Sequence, residues 1–133
     1  MQQLEKTSNY TNETFENIKH IDENGFEYWY ARELQKILEY TEWRKFENVI
    51  NKAMTSCENT GISRFEHFVG ADKMVLIGSG AKRKQKDYKL TRYACYLIAQ
   101  NGDSRKKVIA LAQTYFAIQT RKQELTEKEY CIL

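Results

Sequence analysis

The sequence predicts an α+β domain, a small antiparallel sheet of short hairpins covered by about four to five helices. Three observations predict it. Asn24-Gly25 lies between two β-prone runs, the apolar run Met74-Val75-Leu76-Ile77 leads into a glycine-bounded cationic stretch, and two amphipathic helices meet at Gly102.

With 133 residues the chain suffices for one hydrophobic core and not for two, so zinc or disulfide staples are not needed. No apolar run approaches the roughly 20 residues that span a bilayer. The N-terminus lacks the apolar core of a secretory signal, so the expectation is a cytoplasmic protein with no membrane association. Cys57, Cys95 and Cys131 are odd in number and widely spaced, which favours buried reduced thiols over disulfides or catalysis. Net charge is only +3, but it is unevenly spread. Residues 1–62 hold 7 Lys or Arg against 11 Asp or Glu, whereas residues 63–133 hold 14 against 7. The second half is therefore the one expected to meet a polyanion.

In chain order, Met1 to Thr14 is polar and reads as a flexible arm. Ile18 to Asp22 and Phe26 to Tyr30 flank Glu23-Asn24-Gly25, a hairpin in which Phe26, Tyr28 and Tyr30 share one strand face and Trp29 the other. Ala31 to Leu38 follows as a short helix with Leu34, Ile37 and Leu38 inward. Thr41 is the expected cap of a longer helix carrying Trp43, Phe46, Val49, Ile50, Ala53, Met54 and Cys57, ended by Gly61. The pair reads equally as a helix-turn-helix or as two core helices joined by a corner. Residues 62–72 read as a loop carrying Phe65, His67 and Phe68. Met74 to Ile77 is a strand, with Asp87 to Leu90 as its expected antiparallel partner and residues 78–86 as a long charged turn, a wing in outline.

Thr91 is an N-cap for a helix with Tyr93, Ala94, Leu97 and Ile98 on one face. Gly102 is expected to end it in the left-handed conformation, and Asp103 or Ser104 to cap the next helix. There Val108, Leu111, Ala112, Tyr115, Phe116, Ile118 and Gln119 form the apolar stripe.

Lys82, Arg83, Lys84 and Lys86, with Lys89 and Arg92 beyond, are candidates to contact successive phosphates; the alternative is a solvated turn. Gly78 to Lys82 is not a phosphate loop, because the Gly-Lys-Ser or Gly-Lys-Thr ending is missing. Arg105, Lys106 and Lys107 open a helix, where cations oppose the macrodipole and a bound anion would relieve them, unless they serve solubility alone. Tyr88, Tyr93, Tyr96 and Tyr115 either stack on bases or pack in the core. His20 and His67 stand apart from other ligand types, so no metal site is expected. No cofactor and no catalytic set can be named, and the reading is non-enzymatic, with a nuclease ranked behind it.

Several blocks carry a resemblance. Trp29 to Leu34, Leu38 to Tyr40, Met74 to Ala81, Leu90 to Asp103 and Gln113 to Arg121 closely resemble the DNA-damage-inducible protein D family over about residues 15–125. The layout is more distantly similar to the BRO-N domain of viral BRO proteins and phage antirepressors. The resemblance implies a BRO-N-like domain at 15–125, an arm at 1–14, and a tail at 126–133 leading to a further C-terminal region that family members carry. It implies a role in the bacterial DNA-damage (SOS) response and nucleic-acid binding, with single- or double-stranded DNA as partner. The rival is an antirepressor-like module acting on a repressor or a recombinase filament through the acidic residues Glu39, Glu42 and Glu47. Relatives often have Gly where this chain has Glu39, so its helix-to-helix turn is expected to be less sharp. A monomer and a homodimer are both open.

Overall fold

The computed structural model describes residues 14–132, with backbone alone for 119–120 and 122–132. The arm read at residues 1–14 therefore lies almost wholly outside the described residues, as does the side chain of Cys131. A helical turn over 14–17 comes first. Then follow β1 (His20–Ile21), β2 (Glu27–Tyr30), α1 (Ala31–Ile37), α2 (Trp43–Asn59), a 3-10 turn (Arg64–Glu66), β3 (Phe68–Gly70), β4 (Lys73–Leu76), β5 (Lys82–Gln85), β6 (Tyr88–Leu90), α3 (Arg92–Gln100) and α4 (Lys107–Ile132). The class is α+β.

The Asn-Gly hairpin forms, with positive φ at Gly25 and not at Asn24. His20 pairs with Tyr28, and Gly25 takes φ 83° in the turn. Asp22 Oδ1 accepts from the N–H groups of Asn24 and Phe26, both at 2.9 Å. Trp29 is fully buried, sets its ring edge-on to Phe116 at 5.6 Å and donates its indole N–H to the Phe15 carbonyl at 3.0 Å. That bond removes the cost of burying a polar tip in an apolar site. Around Trp29 gather Leu34 and Leu38 of the first helical segment, Phe46, Ile50, Ala53 and Cys57 of α2, Leu97 and Ile98 of α3, and Ile109, Ala112, Tyr115 and Phe116 of α4.

The middle of the chain is wired differently from the sequence expectation. Residues 62–72 are not all loop: Phe68–Gly70 is a strand, and it, rather than Met74 to Ile77, pairs with Tyr88–Leu90. The four-stranded sheet runs β1-β2-β6-β3, and β4 and β5 form a separate two-stranded ribbon with Met74 opposite Lys84 and Leu76 opposite Lys82. Burial decides the arrangement. Leu90 and Phe68 are a register pair that is buried, and burying each such side chain contributes roughly 1.5–3 kcal/mol. Lys82, Arg83 and Lys84 gain nothing from a central position. The two pairs are one bent hairpin. Gly70 faces Tyr88 and Lys73 faces Gln85, with two residues on either strand between them, so the register passes through the bend unbroken.

Three terminations also differ. Helix α2 begins at Trp43 with Glu42 at the cap position and no side-chain cap bond, so Thr41 does not cap it; Gly61, at φ 83°, ends it as expected. Thr91 does cap α3, its Oγ accepting from the Ala94 N–H at 3.2 Å. Gly102 is needed for space and not for a left-handed turn: a Cβ there would sit 2.9 Å from Ile109 Cγ2. Nor do Asp103 and Ser104 cap α4, which starts only at Lys107. The α4 stripe is rotated from the expected one, with Ile109 buried and Ile118 49% exposed.

Candidate nucleic-acid interface

The ribbon is the most cationic element of the fold. Alternation along β5 puts Lys82 and Lys84 on one face and Arg83 on the other, all three exposed. They lie in a strand, not in the long flexible turn the sequence suggested. The turn itself is short, closed by the Ile77 N–H donating to the Ala81 carbonyl and the Gly80 N–H to the Ile77 carbonyl, each at 2.9 Å. Gly80 supplies the positive φ of 79° that it requires.

The base of the ribbon is held firmly. Asp87, only 2% exposed, accepts from the backbone N–H groups of Arg32 at 3.0 Å and Tyr88 at 2.8 Å. Arg32 donates Nε–H to the Lys86 carbonyl at 2.9 Å, while its guanidinium lies 3.8 Å over the Trp43 ring. Lys84 Nζ is 3.3 Å from Asp72, and Lys86 Nζ 3.0 Å from Glu47. The hydrogen bonds that the Lys86 ammonium donates to Glu47 and to Tyr88 raise its pKa and keep it charged. Lys82 and Arg83 have no acidic partner among the described residues.

The other predicted cations fall elsewhere. Lys89 lies on the open face of the four-stranded sheet, its Nζ 4.9 Å from the Tyr28 ring centre. Arg92, first residue of α3, is largely enclosed and ion-paired with Glu27, so it braces the sheet against the helices. Arg105 is turned back onto Asp103, with Nε and Nη2 each 3.0 Å from a carboxylate oxygen, and this pair holds the Asp103 pKa below its usual value. Lys106 lies 4.6 Å from the Tyr40 ring centre, and Lys107 is exposed at the start of α4. Arg105 and Lys106 thus belong to the turn before the helix, not to its first turn. The sequence reading missed Lys73, which sits 3.9 Å over the Tyr30 ring, and the exposed Arg44, Lys45 and Lys52 on α2, where the apolar stripe is the stronger signal.

Cys57 and Cys95 are buried free thiols, and burial pushes both pKa values up, so both stay protonated. Among the described residues no group of three His, Cys, Asp or Glu could hold a metal ion, and no helix is long and apolar enough to cross a membrane.

Compared with known proteins, the chain is 56% identical over 115 residues to DNA damage-inducible protein D of Escherichia coli (strain K12). The match takes in 86% of this chain and 42% of that protein, so the chain spans less than half the length of this relative. No solved structure matches the chain. The BRO family, N-terminal domain, matches residues 17–117, from the end of the first helical turn through the buried part of α4. The bent hairpin, the sheet, α1 to α3 and the first part of α4 fall inside that match, and the chain belongs to the BRO family through its N-terminal domain.

Proposed function

We propose that this chain is a non-enzymatic DNA-binding regulatory domain of the DNA-damage (SOS) response, and that the β4–β5 ribbon grips the phosphate backbone. The observation that carries this reading is the run Lys82, Arg83, Lys84 on an exposed two-stranded ribbon, with two of the three cations unopposed. A two-stranded ribbon fits a B-DNA major groove about 12 Å wide, and alternate residues along a strand lie roughly 6.6 Å apart. Lys82 and Lys84 would then meet phosphates on one wall while Arg83 addresses the other. The damage-inducible relative supports the regulatory part. Lys89 and Lys107 add field around the ribbon; Lys86, Arg92 and Arg105 contribute less, because each already has a carboxylate. Such a domain would act in the cytoplasm, without a cofactor, as a monomer or a homodimer.

Replacing Lys82, Arg83 and Lys84 together by Ala should weaken duplex binding by at least about tenfold and leave the Tm nearly unchanged. Unaltered affinity would overturn the proposal.

A second reading has its own support. Met74, Leu76 and Ile77 on or beside the ribbon are 62%, 74% and 42% exposed, an apolar edge that a repressor or a recombinase filament could cover. Glu39 and Glu42 are exposed too, whereas Glu47 is engaged by Lys86. Partners that co-purify after nuclease treatment would favour this antirepressor-like role; loss of all of them would count against it.

A further inference from the structure

The face of the sheet turned away from the helices carries aromatic rings that the core does not use. Trp29 and Leu90 pair across β2 and β6 and are both fully buried. Strand alternation therefore puts Tyr28, Tyr30 and Lys89 on the opposite face, with Val69 directly across from Lys89 and His20 across from Tyr28. His20 stacks on Tyr28 at 5.4 Å and 20°, and Tyr30 stands edge-on to Tyr28 at 5.4 Å. Two ammonium groups lie over these rings, Lys89 at 4.9 Å from Tyr28 and Lys73 at 3.9 Å from Tyr30; Lys73 also lies 3.9 Å from the Asp87 carboxylate, so Lys89 is the freer of the two.

Beside Tyr28 the surface sinks into a groove of about 430 Å³, bordered by Phe26, Tyr28, Val69, His67, Lys89 and Tyr93. That volume is within the roughly 300–1,000 Å³ of small-ligand clefts. Phe26 is 70% and Val69 46% exposed, so the apolar lining is not there to fill the core. Asp22 and Glu66 also border the groove, and Asp22 spends an oxygen on the hairpin turn. Glu27 and Arg92, ion-paired with each other, line it as well, and Lys89 stands at its edge, so the groove carries charge of both signs.

We propose that this face is a stacking platform for unpaired bases of single-stranded DNA. One base lies on Tyr28 at the mouth of the groove, its neighbour lies toward Tyr30, and the phosphates between them meet Lys89 and Lys73. A duplex presents only base edges and cannot use these flat rings, whereas every unpaired base has a face that can stack on tyrosine. The inference deepens the DNA-binding reading and rests on it for the polyanionic nature of the ligand. It assigns the sheet face to unpaired strands and leaves the ribbon to the backbone.

The rings could instead serve only as cross-strand pairs that stabilise the hairpin. The test separates the two by comparing the 133-residue chain on an oligodeoxythymidylate and on an abasic strand of equal length, which carry the same phosphates. Anisotropy should show the thymidylate bound at least about fivefold tighter, the contribution of one stacked base. Tyr28→Leu and Tyr30→Leu should reduce that preference toward unity, and Tyr28→Phe should keep it. Equal binding of the two strands by the unmodified chain would overturn the platform while leaving the ribbon standing. Binding of neither strand, nor of duplex, would remove the DNA-binding reading together with it.

Discussion

The buried carboxylate of Asp87 accepts the backbone N–H of Arg32 at 3.0 Å, and this bond joins the root of the ribbon to the first turn of α1. The Arg32 side chain returns the connection by donating to the Lys86 carbonyl. A cationic ribbon with little apolar burial of its own is thereby held in one orientation. Asp87→Ala would leave the N–H groups of Arg32 and Tyr88 without their acceptor. Chemical denaturation should show a loss of roughly 2–4 kcal/mol, and Asp87→Asn, which retains an acceptor oxygen, a smaller one. A change under about 0.5 kcal/mol for the alanine variant would contradict this role.

Glu39 adopts φ 62° between α1 and α2, where the resemblance pointed to glycine. Glu39 thus takes the left-handed conformation despite its side chain. A left-handed non-glycine residue costs roughly 1–2 kcal/mol, part of which glycine's greater chain entropy offsets. Glu39→Gly should therefore raise stability by roughly 0.5–1 kcal/mol, read as a higher Tm; a lower Tm would contradict the strain.

Gly102 is the opposite case. The constraint there is the 2.9 Å approach of a Cβ to Ile109, which is fully buried, so that something in the core must shift. Gly102→Ala should cost about 1–3 kcal/mol. Gly102→Asn should be no milder, although asparagine suits left-handed helix ends; a mild Asn variant would restore the conformational explanation.

Local signals were legible in the sequence where the cause is local. Asn24-Gly25, Gly61 and Thr91 each act within a few residues, and each does what its chemistry dictates. Strand β3 was not legible, because three residues with two of them exposed become a strand only by pairing with Tyr88–Leu90. That hidden strand displaced β4 onto β5 and turned an imagined charged loop into a ribbon. The cations of the candidate site were visible as residue types, but their partners were not. Nothing near Arg92 in the sequence announces Glu27, and nothing near Lys84 announces Asp72. The aromatic alternation of Phe26, Tyr28 and Tyr30 was visible too, yet its significance depends on Lys89 and Lys73 arriving from other strands.

His67 gives the fold an acid-sensitive point. Its Nδ1 lies 2.7 Å from Thr91 Oγ, the same oxygen that caps α3, and burial lowers its pKa from the usual 6.5 against the weaker opposing pull of Glu66. A depressed histidine pKa means that the unfolded chain binds the proton more readily. Stability is then fully present above about pH 6.5 and declines as pH falls toward and through the folded pKa. Thermal melts between pH 7.5 and 5.5 should show a steeper fall for the unmodified chain than for His67→Gln. Parallel curves would show that protonation of His67 carries no stability cost.

The most direct test of the ribbon as a DNA grip is the salt dependence of duplex binding, measured by fluorescence anisotropy for the unmodified chain and for the Lys82→Ala, Arg83→Ala, Lys84→Ala variant. Each phosphate that no longer meets a cation should reduce the slope of log affinity against log salt by about 0.9, so the variant should be shallower by up to roughly 2.7. Equal slopes would mean that these three cations touch no phosphate, and the central claim would fall.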